Sequence, residues 1–201
     1  MIGLTHAVGL LERAVGYGLE SVGQVRQSSL TRPTPCAGWD LGMLLCHLNE
    51  SLAALGQGLH GGRIDLAYSG APGTTRGARA EDLASGFRDG ARQLLDGWRQ
   101  LASDGPPMEV GGAPVIPEAV ALVGAIEIAV HGWDIAESCG RHRPVPVRLA
   151  LELLGVTPLL VDGTARSPLF AAPVRVSPLA SPSDRLVGFL GRSPRGWAAA
   201  I

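Results

Sequence analysis

One stretch in the second half of the chain, AVALVGAIEIAV from Ala119 to Val130, is apolar on every side and carries a single charged residue, Glu127. A helix that is apolar on all its faces is normally buried in a protein interior. The stretch continues as HGWD, so Glu127 and His131 lie one helical turn apart on the same face. Because removing a charge from water is costly, a buried carboxylate needs a partner or a proton. The chain must therefore fold so that Glu127 is compensated.

The chain has the size and composition of one globular domain. Its 201 residues, 46% of them hydrophobic, suffice for a sizeable core, and its apolar runs are too short or too interrupted to predict a membrane span. The 17 basic and 18 acidic residues nearly cancel, so the net charge of -1 gives no general attraction to nucleic acids or anionic membranes. All 17 basic residues are arginine, which indicates a source with a GC-rich genome.

Two features predict a cytoplasmic location. The N-terminal segment MIGLTHAVGLLERAV lacks the basic residues that precede the apolar part of a signal peptide. The three cysteines, Cys36, Cys46 and Cys139, are odd in number and form no CxxC pair. This pattern fits a reducing compartment and argues against a disulfide framework or a cysteine-rich zinc site.

Hydrophobic residues at steps of three and four predict four main helices joined by turn-rich segments. The first runs from the N-terminus to Val22, and the second follows Asp40, which we expect to be its N-cap. The third extends from Leu83 to Leu101, and the fourth is the apolar stretch around Glu127. We predict an all-α protein, an antiparallel four-helix bundle, whose interior commonly holds metal sites built from facing helices.

The remaining segments are shorter or irregular. RLALELLGVTPLLV predicts a short helix, and Ser181 followed by Pro182 predicts the start of another. Residues 56–79 are rich in glycine and aperiodic, so we expect a long loop that helps to close a pocket. Residues 173–177 (PVRVS) are a weak candidate strand. We expect the bundle to occupy residues 1–165 and a short proline-rich C-terminal extension, with one helix packed on the bundle, to occupy residues 166–201.

His47, Glu127 and His131 are candidate ligands of one metal ion. His47 lies beside a leucine stripe in the second helix, whereas the other histidines lie in the first turn, the glycine-rich loop and a proline-broken segment. Two imidazoles and a carboxylate suit Zn²⁺ and leave a fourth position open, as in catalytic zinc sites, although nickel, cobalt or iron could occupy the same ligands. Spacing alone equally allows Glu127 to pair with His131 or with an arginine of the first or third helix.

Four other residues are candidates for supporting this site. Asp134 is placed to orient an imidazole, or else to interact with Arg141 or solvent. Glu50 is a reserve ligand or a solvated helix residue. Trp39 and Trp133, each in a Gly-Trp-Asp tripeptide, either wall the same cavity or pack between helices.

Three segments, TPCAGWDLGMLLCHLNES, EIAVHGWDIAESCG and SPSDRLVGFLGR, occur in this order and carry a family resemblance. They resemble the DinB-like metalloprotein superfamily and, within it, proteins similar to the N-terminal domain of mycothiol-dependent maleylpyruvate isomerase. The resemblance covers essentially the whole chain. It implies a four-helix bundle in which a divalent metal, usually zinc, is held by one histidine of the second helix and by a glutamate and a histidine one turn apart on a later helix. Here these are His47, Glu127 and His131.

The resemblance also implies an activity. Such proteins include enzymes that use a low-molecular-weight thiol, mycothiol, as cofactor or co-substrate, and we therefore predict a zinc-dependent thiol S-transferase or isomerase-like enzyme with a small electrophilic substrate. The isomerase that the chain resembles has a second domain that helps to hold a dicarboxylate. This chain has a short tail there, so we expect an electrophile other than maleylpyruvate.

Two alternatives to this activity follow from the same residues. One is a thiol-independent metalloenzyme that acts on a biosynthetic or xenobiotic small molecule, and the other is a non-catalytic metal-binding or regulatory module. In each case we expect a monomer or homodimer that binds neither nucleic acid nor membranes.

Overall fold

The computed structural model describes residues 3–64, 75, 77–101, 105–161 and 170–194. These residues form six α-helices, one turn of 3-10 helix and three short β-strands. The helices are α1 (Leu4–Val22), α2 (Leu41–Gly61), α3 (Ala80–Gln100), α4 (Pro117–Ser138), α5 (Val147–Leu160) and α6 (Pro182–Phe189). The strands are β1 (Arg63–Ile64), β2 (Met108–Val110) and β3 (Ala113–Val115), and the 3-10 turn covers Gln27–Ser29.

Helices α1 to α4 form the four-helix bundle that the sequence predicted. Helix α1 packs mainly along α4, and α2 packs along α3. Helix α4 is long and apolar enough to span a membrane by length and composition, but 83% of its most apolar window is buried inside the protein. It is therefore the central helix of the core, as its apolar residues on every face predicted.

Two predicted helix starts are confirmed. The Asp40 carboxylate accepts a hydrogen bond from the Met43 N–H at 2.8 Å, which caps α2. Ser181 caps α6 in the same way, because its hydroxyl accepts from the Asp184 N–H at 3.1 Å and Pro182 occupies the first helical position. Each cap satisfies an N–H group that has no partner within its helix.

The structure contains a small sheet that the sequence analysis missed. Strand β2 pairs parallel to β1 and antiparallel to β3, with Val110 opposite Ala113. The turn between β2 and β3 consists of Gly111 and Gly112, whose φ angles of 56° and 86° suit a two-residue hairpin turn. Strands of two or three residues are too short to show a convincing alternation of period two. The Gly111–Gly112 pair was therefore the one feature of the sequence that could have indicated the hairpin.

Two predictions for irregular segments were wrong in part. Helix α2 continues to Gly61 and β1 follows it, so the loop predicted for residues 56–79 begins later; residues 65–74 and 76 lie outside the described residues. Residues 173–177 form no strand, although the Val174 N–H donates to the Gly188 carbonyl at 2.9 Å.

Helix α5 packs against α1 and α4 of the bundle, and α6 packs against α5. Arg13 of α1 holds α5 through a bidentate pair with Glu152, at 2.9 and 2.8 Å. Residues 162–169 and 195–201 lie outside the described residues, so the division of the chain into 1–165 and 166–201 stays a prediction.

Two glycines of α2 allow a matched test of this packing. A Cβ atom at Gly58 would lie 2.3 Å from Cγ1 of the buried Ile64, whereas a Cβ at Gly56 would meet nothing within 4 Å. We expect Gly58→Ala to lower the free energy of unfolding by about 1 to 3 kcal/mol through overpacking. Gly56→Ala should instead raise it by up to about 1 kcal/mol through helix propensity. Urea denaturation measures both, and equal effects would contradict the predicted contact.

Candidate metal centre

Helices α2 and α4 bring His47, Glu127 and His131 together. One potential ligand atom from each side chain lies within 4.8 Å of the other two. Nε2 of His47 is 3.0 Å from Oε1 of Glu127, and the two imidazole rings lie edge to face with their centroids 5.4 Å apart. Because Glu127 and His131 are one turn apart on α4, a single facing residue from α2 completes the cluster.

The cluster is buried on one side and accessible on the other. His131 is 6% exposed, whereas the side chains of His47 and Glu127 are 19% and 21% exposed. Trp39 contacts His47, and the two rings lie edge to face with their centroids 4.9 Å apart. His47 and Glu127 are therefore the partly exposed members of the cluster, while His131 lies in the interior.

The charges of the cluster suit a cation. Burial raises the pKa of Glu127, but the hydrogen bond and charge of His47, together with His131 and Ser51, outweigh this effect and lower it below its ordinary value. Burial lowers the pKa of His131 and outweighs the opposing contact with Asp134. Near neutral pH the cluster thus holds a carboxylate and a neutral His131, the protonation states that metal binding requires.

Asp134 orients the His131 ring through its Nδ1 atom. Its Oδ2 lies 2.9 Å from Nδ1 of His131, and the carboxylate is completely buried. Burial would raise the pKa of Asp134, but the charge of Arg192 and the contacts with His131 lower it instead, so it is a carboxylate that accepts the Nδ1 proton. Nε2 of His131 is therefore the nitrogen left to bind an ion.

Arg192 compensates the buried charge of Asp134. Its Nη2 and Nε donate to the two carboxylate oxygens at 2.9 and 3.3 Å, and the residue is 4% exposed. The turn that delivers it requires Gly191, which has a φ of 87° and whose Cβ would lie 2.7 Å from that of Ala171. Residues just beyond α6 thus reach the centre of the bundle.

The other predicted residues divide into two groups. Asp134 and Trp39 touch a histidine of the cluster, as described above. Glu50 is exposed on α2 and is not part of the cluster formed by the described residues. Trp133 is completely buried in the core, which fits its packing interpretation.

Sequence reasoning missed Ser51 and Arg192. Ser51 donates a hydrogen bond of 2.6 Å to Oε1 of Glu127, and its position four residues after His47 was a usable signal for the same helical face. Arg192 ends the SPSDRLVGFLGR segment, but its partner Asp134 is 58 residues away, and no local pattern indicates that contact.

The residues present fit a divalent metal. Zinc binds imidazole nitrogen and carboxylate oxygen at about 2.0 to 2.2 Å, so ligand atoms around one ion must lie within a few ångströms of each other. The cluster already meets this condition. Three ligands leave at least one coordination position for an exogenous group.

These features define a class of protein: a four-helix bundle with a cluster between facing helices that could hold a metal ion. The family model of the mycothiol maleylpyruvate isomerase N-terminal domain matches residues 11–136, so the chain belongs to this family. The match covers α2 and most of α4, and with them all three residues of the cluster.

The chain is also similar to individual proteins in sequence and in fold. The chain is 24% identical over 173 residues to uncharacterized proteins of Mycobacterium tuberculosis strains CDC 1551 / Oshkosh and ATCC 25618 / H37Rv, over 85% of this chain and 89% of each relative. Its fold is similar to that of the mycothiol-dependent maleylpyruvate isomerase in crystal structures of that enzyme and of a variant with one histidine replaced by alanine. The TM-scores are 0.59 and 0.60, at 16% and 15% identity, over 77% of this chain and 69% of the isomerase chain. The chain therefore has the DinB-like fold that the sequence predicted.

The ion pair behind His131 yields a stability test. Replacing Asp134 by Asn leaves the Arg192 guanidinium buried without a counter-charge, so we expect the free energy of unfolding to fall by about 3 to 5 kcal/mol. Asp89→Asn is the matched control, because it removes the partner of Arg92 in an exposed pair and should cost less than about 1 kcal/mol. Both variants are compared by chemical denaturation of the metal-free protein, and similar losses would show that burial does not strengthen the inner pair.

Proposed function

We propose that the protein is a cytoplasmic, zinc-dependent thiol S-transferase or thiol-dependent isomerase-like enzyme that uses mycothiol as cofactor or co-substrate. The observation that supports this most is the convergence of His47, Glu127 and His131 from two facing helices, with one side of the cluster accessible. Family membership supports the choice of thiol, because the family is named for a mycothiol-dependent isomerase.

We assign the metal to His47, Glu127 and His131. When bound there, zinc supplies an open coordination position that accepts the sulfur of a thiol and lowers its pKa. Glu127 contributes one negative charge toward neutralising the cation. Asp134 keeps the Nδ1 proton of His131 in place, so that Nε2 stays directed at the cluster.

The chemistry that we propose begins with the thiolate. Its sulfur forms a bond to carbon as the double bond of an activated electrophile opens, which leaves a stabilised carbanion. In an isomerase, the new single bond rotates, the sulfur–carbon bond breaks and the thiolate is regenerated. In an S-transferase, the carbanion takes a proton from water, or a leaving group departs, and the adduct is released.

The protein's own side chains shape this reaction. Trp39 stands beside His47 at the accessible side, where its ring limits the access of water and offers an apolar surface to the electrophile. We propose that Trp39 is one of the residues that determine which electrophile is accepted.

We also propose that the bundle occupies residues 1–165, and that residues 166–201 form an extension that contributes Arg192 to the site. The enzyme then acts on a small molecule as a monomer or homodimer.

The ligand assignment is tested with cobalt(II) as a coloured probe. We expect Glu127→Gln to weaken cobalt affinity by more than about 100-fold, because changes that only disorient a ligand typically cost 10- to 100-fold. Glu50→Gln is the control, because Glu50 is exposed on α2 and lies outside the cluster, and this variant should bind cobalt like the wild type. Full metal occupancy of Glu127→Gln would contradict the assignment.

The thiol is tested by adding mycothiol to the cobalt-loaded protein. We expect the tetrahedral cobalt bands to be joined by a charge-transfer band from sulfur. The cobalt-loaded Glu50→Gln variant should give the same response as the wild type. A cobalt spectrum that does not change when mycothiol is added would instead favour a thiol-independent metalloenzyme. A site that binds metal but exchanges no ligand would favour a non-catalytic module.

A further inference from the structure

Ser51 of α2 makes a hydrogen bond to the cluster that differs from the usual bond of a serine within a helix. A serine inside a helix commonly bonds the carbonyl four residues before it. Ser51 instead donates across the bundle, from α2 to α4, to Oε1 of Glu127 at 2.6 Å. Such short O–H···O⁻ bonds are among the stronger hydrogen bonds in proteins.

The oxygen that Ser51 contacts has a second neighbour. Nε2 of His47 lies 3.0 Å from the same Oε1. If His47 donates a proton there, its Nε2 cannot at the same time offer a lone pair to a metal ion. Binding of an ion therefore removes His47 as a donor to Glu127.

Ser51 is then the remaining donor to Glu127 among the contacts that the described residues make. Glutamate has three rotatable side-chain bonds, so a carboxylate without a donor samples several orientations. If the Ser51 hydroxyl keeps its hydrogen bond to Oε1 while His47 turns from Glu127 to the ion, the Glu127 carboxylate stays directed at the cluster.

We propose that Ser51 is a positioning residue that sets the affinity of the site for a divalent cation by holding the Glu127 carboxylate. This inference rests on the proposed function, since it takes Glu127 as a metal ligand. It adds a residue on α2 that acts through Glu127 and does not itself touch the ion.

The test compares three variants by cobalt(II) affinity, measured by absorption in competition with a chelator. Ser51→Ala removes the donor and should weaken binding about 10- to 100-fold. Ser51→Thr keeps a hydroxyl and should restore most of the affinity. Ser85→Ala is the control, because the Ser85 hydroxyl bonds the Asp82 carbonyl within α3 and its loss should leave cobalt affinity unchanged.

Thermal unfolding of the metal-free variants separates positioning from a general loss of structure. We expect Ser51→Ala and Ser85→Ala to unfold at similar temperatures, so that the affinity difference is specific to the site. Wild-type affinity in Ser51→Ala, or an equal loss in Ser51→Ala and Ser51→Thr, would overturn the role of Ser51 while leaving the proposed function standing. A wild-type protein that binds no cobalt would overturn both.

Discussion

Charge compensation inside α4 is the constraint on which the rest of the structure depends. The helix is buried on nearly every side, yet beyond its first turn it carries three acids, Glu127, Asp134 and Glu137. Each acid has a partner from another part of the chain: His47 and Ser51 from α2, Arg192 from beyond α6, and His142 from the segment after α4. The hydrophobic packing can close around α4 because these contacts offset the cost of removing the carboxylates from water.

The same compensation prepares the candidate metal centre. The ligands of a metal ion must be deprotonated when it is bound. Burial lowers the pKa of His131, while the hydrogen bonds to Glu127 lower the pKa of that acid, so one environment produces both protonation states. Polar groups that would destabilise an apolar core are thus tolerated because they satisfy one another's charges and hydrogen bonds.

Much of this arrangement could be predicted from local sequence. The all-round apolar pattern identified α4, a single aspartate identified the start of α2, and the spacing of Glu127 and His131 restricted both to one face. The hairpin was missed because its strands are too short for periodicity to appear. Arg192 was missed for a different reason: its contact with Asp134 depends on how α6 docks, and that is a property of the tertiary fold.

The glycine turn before Arg192 has a consequence for the order in which the protein can be completed. Asp134 is synthesised 58 residues before its arginine partner. Until Gly191 and Arg192 follow, the C-terminal half of α4 would have to bury an uncompensated carboxylate, which favours a hydrated, loosely packed state for that half of the helix. Docking of the turn at Gly191 and full burial of the Asp134 carboxylate are therefore coupled.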